Sequence, residues 1–232
     1  MTDGTGRAPR GVRPGRRPGP SRSLTTRAVA EAALAEGLGT FSMPGVAARL
    51  GVSHSTLYRY VRDRDDLLRT AIGVAVDGVA WPSDELPWRE LLGSLADRLW
   101  ELCDAHPGLA QAILTTPGTP PAIIERLVRY GRSLVAAGLG DRDAVVSVDF
   151  VAELTLTSWI AMRHLDGETA AGEGRTVREE YRSSWSVDTP FLEVFTADDT
   201  WHGRGWFTDK LAIFLDGLAH RIDARPGGGS QG

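Results

Sequence analysis

The 232-residue sequence predicts an all-α protein, a small N-terminal helix-turn-helix unit followed by a larger helical body. Three observations carry that prediction. Apolar residues recur at three- and four-residue spacing along most of the chain, no stretch alternates as a half-buried strand does, and two short helical segments meet at a lone glycine, Gly51. With 42% hydrophobic and 24% charged residues, the chain has enough apolar side chain for a core and too much for full disorder.

Residues 1–22 carry six Arg and five Gly, with Pro between them and almost nothing to bury, the composition of a flexible arm. Thr25 or Thr26 caps a first helix, whose stripe of Val29, Ala32, Ala33 and Leu34 stops at Gly37 and Gly39. Ser42 caps a second, where Pro44 is tolerated because first-turn amides have no intrahelical acceptor. Val46 and Leu50 share its inner face, and at Gly51 the chain turns through a left-handed backbone that costs glycine least. Ser53 caps the next helix, with Leu57 and Val61 pointing inward. A further helix runs from Asp63 to about Val79 and is broken by Trp81-Pro82.

Beyond it, Leu91, Leu92, Leu95, Leu99 and Leu102 form one stripe, closed by His106-Pro107-Gly108. Helices follow over Pro121 to Ala137, with Ile123, Ile124, Leu127, Val128 and Leu134 on one face, and over Ala144 to His164. Residues 166–180 read as a polar loop, a last helix spans roughly Gly205 to Ile222, and Pro226 to Gly232 read as a disordered tail. The predicted division is an arm over 1–22, a helix-turn-helix domain over 23–70, a helical body over 71–225 and a tail over 226–232.

Composition narrows the function classes. No segment reads as the roughly 20 apolar residues of a membrane span, and the N-terminal arm lacks the apolar stretch of a secretory signal, so the expected location is the cytoplasm. The single cysteine, Cys103, gives neither an internal disulfide nor a thiolate metal cage. There is no His-x-x-x-His, Gly-x-Ser-x-Gly, Walker loop or dinucleotide fingerprint, and Asp65-Asp66 and Glu179-Glu180 read as solvated helix surface. No catalytic residue, metal or cofactor is therefore expected. The net charge of -4 hides an asymmetry: residues 1–70 hold 12 Arg against 6 acidic residues, while residues 71–232 hold 14 basic against 24 acidic. A cationic front on an acidic body calls for an anionic partner at the front alone.

At 100° per residue, Ser55 and Arg59 project opposite Leu57 and Val61 on the helix after Gly51, with Thr56 and Tyr58 to either side. A short polar face with one cation holds groups that reach base edges and phosphates in a major groove. The competing reading is a solvated face in some other all-α protein. From about Leu24 to Leu68 the sequence carries Ala47-x-x-Leu50-Gly51-Val52-Ser53, then Ser55-Thr56-Leu57-Tyr58, then Val61-x-Asp63-Arg64-Asp65-x-Leu67-Leu68. In that order these elements resemble the tetracycline-repressor family of bacterial transcription regulators. The resemblance implies an N-terminal three-helix DNA-binding domain, a long connecting fourth helix, a helical ligand-binding body and a homodimer interface made by the last two long helices. By position it places Ser42, Thr56, Tyr58 and Tyr60 on DNA-contacting sites and Arg64 on a phosphate at the start of the fourth helix. Ser53, His54, Ser55 and Arg59 complete the expected DNA face, with Arg59 reading guanine or, alternatively, touching a phosphate. Met43 and Pro44 depart from the family, which commonly has basic residues there. Beyond Leu68 the body resembles the tetracycline-repressor-like subset only in helix lengths, the His106-Pro107 turn and the Leu215-Asp216-Gly217-Leu218 end.

The expected partners are thus a double-stranded DNA operator, a small-molecule effector and a second copy of the chain, with 144–164 and 205–222 at the dimer face. Trp88, Trp100, His106, Trp159 and Met162 are candidates to line an effector pocket, with plain core packing as the alternative for each. Arg13, Arg16 and Arg17 either lie in an adjacent minor groove or belong to a solvated tail. Two other classes remain: an enzyme on a helical scaffold, and a nonspecific architectural DNA binder, which the acidic body disfavours.

Overall fold

The computed structural model describes residues 24–169, 174–184 and 193–224. Arg13, Arg16, Arg17 and the tail lie outside them. Four side-chain caps set where the N-terminal helices begin. Thr25 accepts the Ala28 amide at 3.1 Å to open α1 (Thr26–Glu36), and Ser42 accepts that of Gly45 at 3.1 Å to open α2 (Met43–Leu50). Ser53 accepts the Thr56 amide at 3.2 Å at α3 (His54–Leu57), and Asp63 accepts that of Asp66 at 2.7 Å at α4 (Arg64–Asp77). Each supplies an acceptor to an amide that the helix leaves unpaired, worth about 1 kcal/mol. Between α2 and α3, Gly51 sits at φ 66°, ψ 30°, so its amide and that of Val52 turn back onto the Ala48 and Ala47 carbonyls.

The body comprises α5 (Trp88–Ala105), α6 (Leu109–Thr115), α7 (Pro121–Ala136), α8 (Asp141–Leu165), α9 (Val177–Ser184), α10 (Glu193–Thr196), α11 (Asp198–Trp201) and α12 (Phe207–Asp223). Among the described residues there is no strand, only an isolated bridge between Glu168 and Thr176. The central element is α8, which packs on α5, α6, α7 and α12, while α1 lies along α4. One buried cluster runs without a break from Val29 and Leu57 through Leu67 and Ile72 to Leu99, Leu109 and Leu156. The N-terminal helices therefore share a core with the body by way of α4.

Several expectations change. The helix after Gly51 is one α-turn, followed by the turn Tyr58–Tyr60, although Leu57 and Val61 are buried as the spacing predicts. Helix α6 escaped notice because it is only seven residues long between two Pro-Gly pairs. The polar loop ends at Val177, where α9 starts. On α7, Leu134 is buried, but Ile124 and Val128 face solvent, so the apolar residues there do not make a single inward stripe. Helix α4 stops at Asp77, before Trp81-Pro82, and the Trp81 indole N–H caps it by donating to the Val76 carbonyl at 2.7 Å.

The largest correction concerns α8, which is long and apolar enough to cross a membrane by length and composition, contrary to the expectation that no segment is. Its inward residues Val148, Val151, Thr155 and Leu156 are buried by neighbouring helices, whereas Val145, Val146 and Phe150 are exposed. A central helix with one packed face and a second apolar face accounts for the composition.

Candidate functional site

The polar face expected on the helix after Gly51 is exposed. Leu57 and Val61 are buried, which turns Ser53, His54, Ser55, Tyr58 and Arg59 to solvent, with Thr56 and Tyr60 half-buried beside them. The Ser53 hydroxyl lies 2.9 Å from that of Ser55 and 2.8 Å from that of Thr56, besides accepting the Thr56 amide. These three hydroxyls make one patch at the start of α3. Ser53 holds the patch together, so its own capacity is largely spent. His54 and Tyr58, one turn apart, meet edge to face at 5.0 Å and form an aromatic wall on the same side. Ser42 is exposed at the start of α2, where its hydroxyl caps the helix.

Charge pairing separates the arginines. Between residues 49 and 69 there are five. Arg49 lies 3.7 Å from Glu36, and Arg62 and Arg69 lie 3.0 and 3.5 Å from Asp66. Arg62 also donates its backbone amide to Asp66 at 2.9 Å, and with its guanidinium it holds the Asp66 carboxyl down to about 2. Arg59 and Arg64 meet no carboxylate among the described residues. Arg64 instead sets its guanidinium carbon over the Phe41 ring at 4.5 Å, and the residue stays exposed. Met43 is buried and Pro44 carries no charge, so α2 opens without a cation.

A cavity of about 80 Å³ lies in the body, lined by side chains that include Val76 of α4, Leu99 of α5, Ile113 of α6, Arg126 and Tyr130 of α7, and Leu156 of α8. None of the five residues expected to line a pocket reaches it. Trp100 packs on Phe207 at 5.1 Å, Trp159 donates to Asp104 at 2.9 Å, and Met162 packs beneath Gly205. Trp88 borders an open groove beside α7, and His106 sits at the α5–α6 turn, where burial lowers its pKa. The structure scatters them because the inward turn of each helix presents a different side. What the sequence reading missed is Arg126. It follows Ile123 by three residues and precedes Tyr130 by four, which places a charge on the inward side of α7. Among the described residues, no three His, Cys, Asp or Glu side chains gather as a metal site.

A sequence model for bacterial regulatory proteins of the tetR family matches residues 28–71, the span of the capped helices and the exposed α3. Residues 28–71 are thus similar to the N-terminal segment of tetR-family regulators. The chain is 34% identical over 146 residues to the HTH-type transcriptional repressor DrrR1 of Streptomyces coeruleorubidus, covering 58% of this chain. The match spans only 53% of that repressor, about half its length. The fold resembles that of the tetR-family protein ActR from Streptomyces coelicolor, solved in complex with actinorhodin, with a TM-score of 0.68 at 22% identity over 90% of this chain and 100% of that one. It also resembles BioQ solved with its double-stranded DNA operator, with a TM-score of 0.61 at 19% identity over 85% of this chain and 99% of that one.

Proposed function

We propose that this protein is a tetR-family member, a homodimeric, ligand-responsive transcription regulator: a repressor that leaves a near-palindromic operator when a small molecule binds its body. The observation that carries the reading is the exposed face of α3 with Arg59 and Arg64 unpaired in a segment where the other arginines are neutralised. Residues 23–70 act as the reading domain. Arg59 reaches a base edge and Arg64 a phosphate, with Ser42, Ser55, Thr56, Tyr58 and Tyr60 as the polar surround and His54 backing Tyr58. The protein works in the cytoplasm with its DNA, and no catalytic group or cofactor takes part.

The second copy docks on α8 and α12. Val146 and Ile213 are exposed there, at 54% and 73%, beside the Phe150–Phe214 ring pair at 4.4 Å. Contiguous apolar surface of this kind marks an interaction site, and an isologous contact between two such helix pairs sets two reading heads about a two-fold axis. The effector occupies the body cavity. Its 80 Å³ is well below the roughly 300–1,000 Å³ of a drug-sized site, so a ligand of that size separates the lining helices, α4 among them. Because α1 lies along α4, that separation resets the reading head, by no more than the ligand's differential affinity for the two settings. That ActR, alike in fold, has been solved with actinorhodin supports a small-molecule effector.

The test is selection of bound duplexes from a random DNA pool by the purified full chain. Enrichment of a palindrome with half-sites about 34–36 Å apart or slightly more is expected. Retention of all duplexes alike, with random DNA competing fully, would instead establish a nonspecific binder.

A further inference from the structure

The body cavity contains one feature that apolar packing does not explain. The Arg126 Nε is buried and has no hydrogen-bond partner among the described residues. Its guanidinium is held only loosely: Nη2 lies 3.5 Å from the Val76 carbonyl and 3.8 Å from Asp77, a carboxylate that is itself mostly in water. The Trp81 ring lies beneath Cζ at 5.1 Å, and the Tyr130 hydroxyl turns away to donate to the Pro82 carbonyl at 2.9 Å. Among the described residues no Asp or Glu lines the cavity. A buried donor left unsatisfied costs about 1–3 kcal/mol, more when charged, so its retention beside an apolar cavity calls for an acceptor supplied from outside.

Resting on the effector reading above, we propose that Arg126 is the anchor for an anionic effector, a flat and mainly apolar molecule carrying one carboxylate. The carboxylate accepts from Nε and Nη in the forked geometry a guanidinium favours, and the rings pack among Trp81, Leu99, Tyr130 and Leu156. A cationic ligand is rejected because it would meet Arg126 with no carboxylate lining the cavity to offset it. A neutral isostere of the acid fills the same space but leaves the charge unmatched.

Calorimetric titration of the full chain with benzoate and 2-naphthoate, each paired with its carboxamide, tests this. In the unaltered protein the acid of at least one pair is expected to bind at least tenfold more tightly than its amide. Arg126→Met should reduce that preference to under threefold while leaving amide affinity within a few fold, and Arg126→Lys should restore part of it. Equal binding of acid and amide in the unaltered protein, or a preference that survives Arg126→Met, overturns the anchor while leaving the cavity as effector site intact. Binding of no probe overturns both anchor and cavity, and the duplex selection reports separately on DNA reading.

Discussion

The Leu38 amide donates to the Pro107 carbonyl at 3.2 Å, and this hydrogen bond seats the α1–α2 loop on the α5–α6 turn of the body. The approach is close enough to restrict what residue 108 can be. Gly108 has φ 85°, and a Cβ there would lie 2.5 Å from the Gly39 backbone nitrogen. The turn therefore couples two parts of the chain that sequence distance separates, and it does so through backbone.

Gly108→Ala is expected to lower stability by more than the roughly 1 kcal/mol that a positive φ alone costs a non-glycine residue. Gly51→Ala is the matched control, since its φ is 66° but a Cβ there meets nothing within 4 Å. Thermal unfolding of the two variants should show the larger fall in Tm for Gly108→Ala, and equal falls would remove the packing argument.

Arg59→Ala should weaken operator binding and relax preference at the base it reads, by about 1–3 kcal/mol if the contact is bidentate to guanine. Arg64→Ala should weaken all duplexes alike and lower the slope of log affinity against log salt by about one. Titrations at several salt concentrations distinguish the two roles. A uniform loss in Arg59→Ala would make it a phosphate contact.

Asp66→Asn removes the charge that faces two guanidiniums and leaves one acceptor oxygen where two serve them and the Arg62 amide. The carboxyl is held at about 2, below its ordinary 3.8, so its contribution is complete above the ordinary value and disappears as pH falls through the lower one. The variant should lose about 1–2 kcal/mol near neutral pH, the scale of a hydrogen bond to a charged group in a partly screened site. Denaturant melts of the two proteins should converge between pH 4 and pH 2; a gap that stays constant over that range would assign the loss to packing.

Cys103 is fully buried beside Asp104, and burial pushes its thiol up to about 12. It should therefore resist iodoacetamide in the native protein and react stoichiometrically in denaturant. Mass spectrometry after timed exposure checks this, and rapid native labelling would mean that α5 opens readily.

Ile213→Asp and Val146→Asp place charges on the exposed apolar face of α12 and α8. Each should shift the protein from the proposed dimer to monomer in light scattering at micromolar concentration, with the helical circular dichroism retained. An unchanged mass would move the dimer contact elsewhere.

The N-terminal helices were readable from sequence because their determinants are local. Ser42, Ser53 and Asp63 each cap an amide three residues on, and Gly51 turns the chain by its own backbone freedom. Burial of Leu57 and Val61 followed from helical spacing, and with it the outward position of Ser55 and Arg59. Tertiary structure decided what depends on residues far apart in the chain. Arg59 and Arg64 are distinguished from Arg49 by Glu36 thirteen residues earlier, and Arg126 meets α4 across fifty residues. Trp100 and Trp159 went to packing and to Asp104, because a helical stripe specifies which residues turn inward but not which neighbour they find there. The same limit hid the second face of α8: its composition records an apolar helix, and only the arrangement of α5, α7 and α12 around it shows which side stays uncovered.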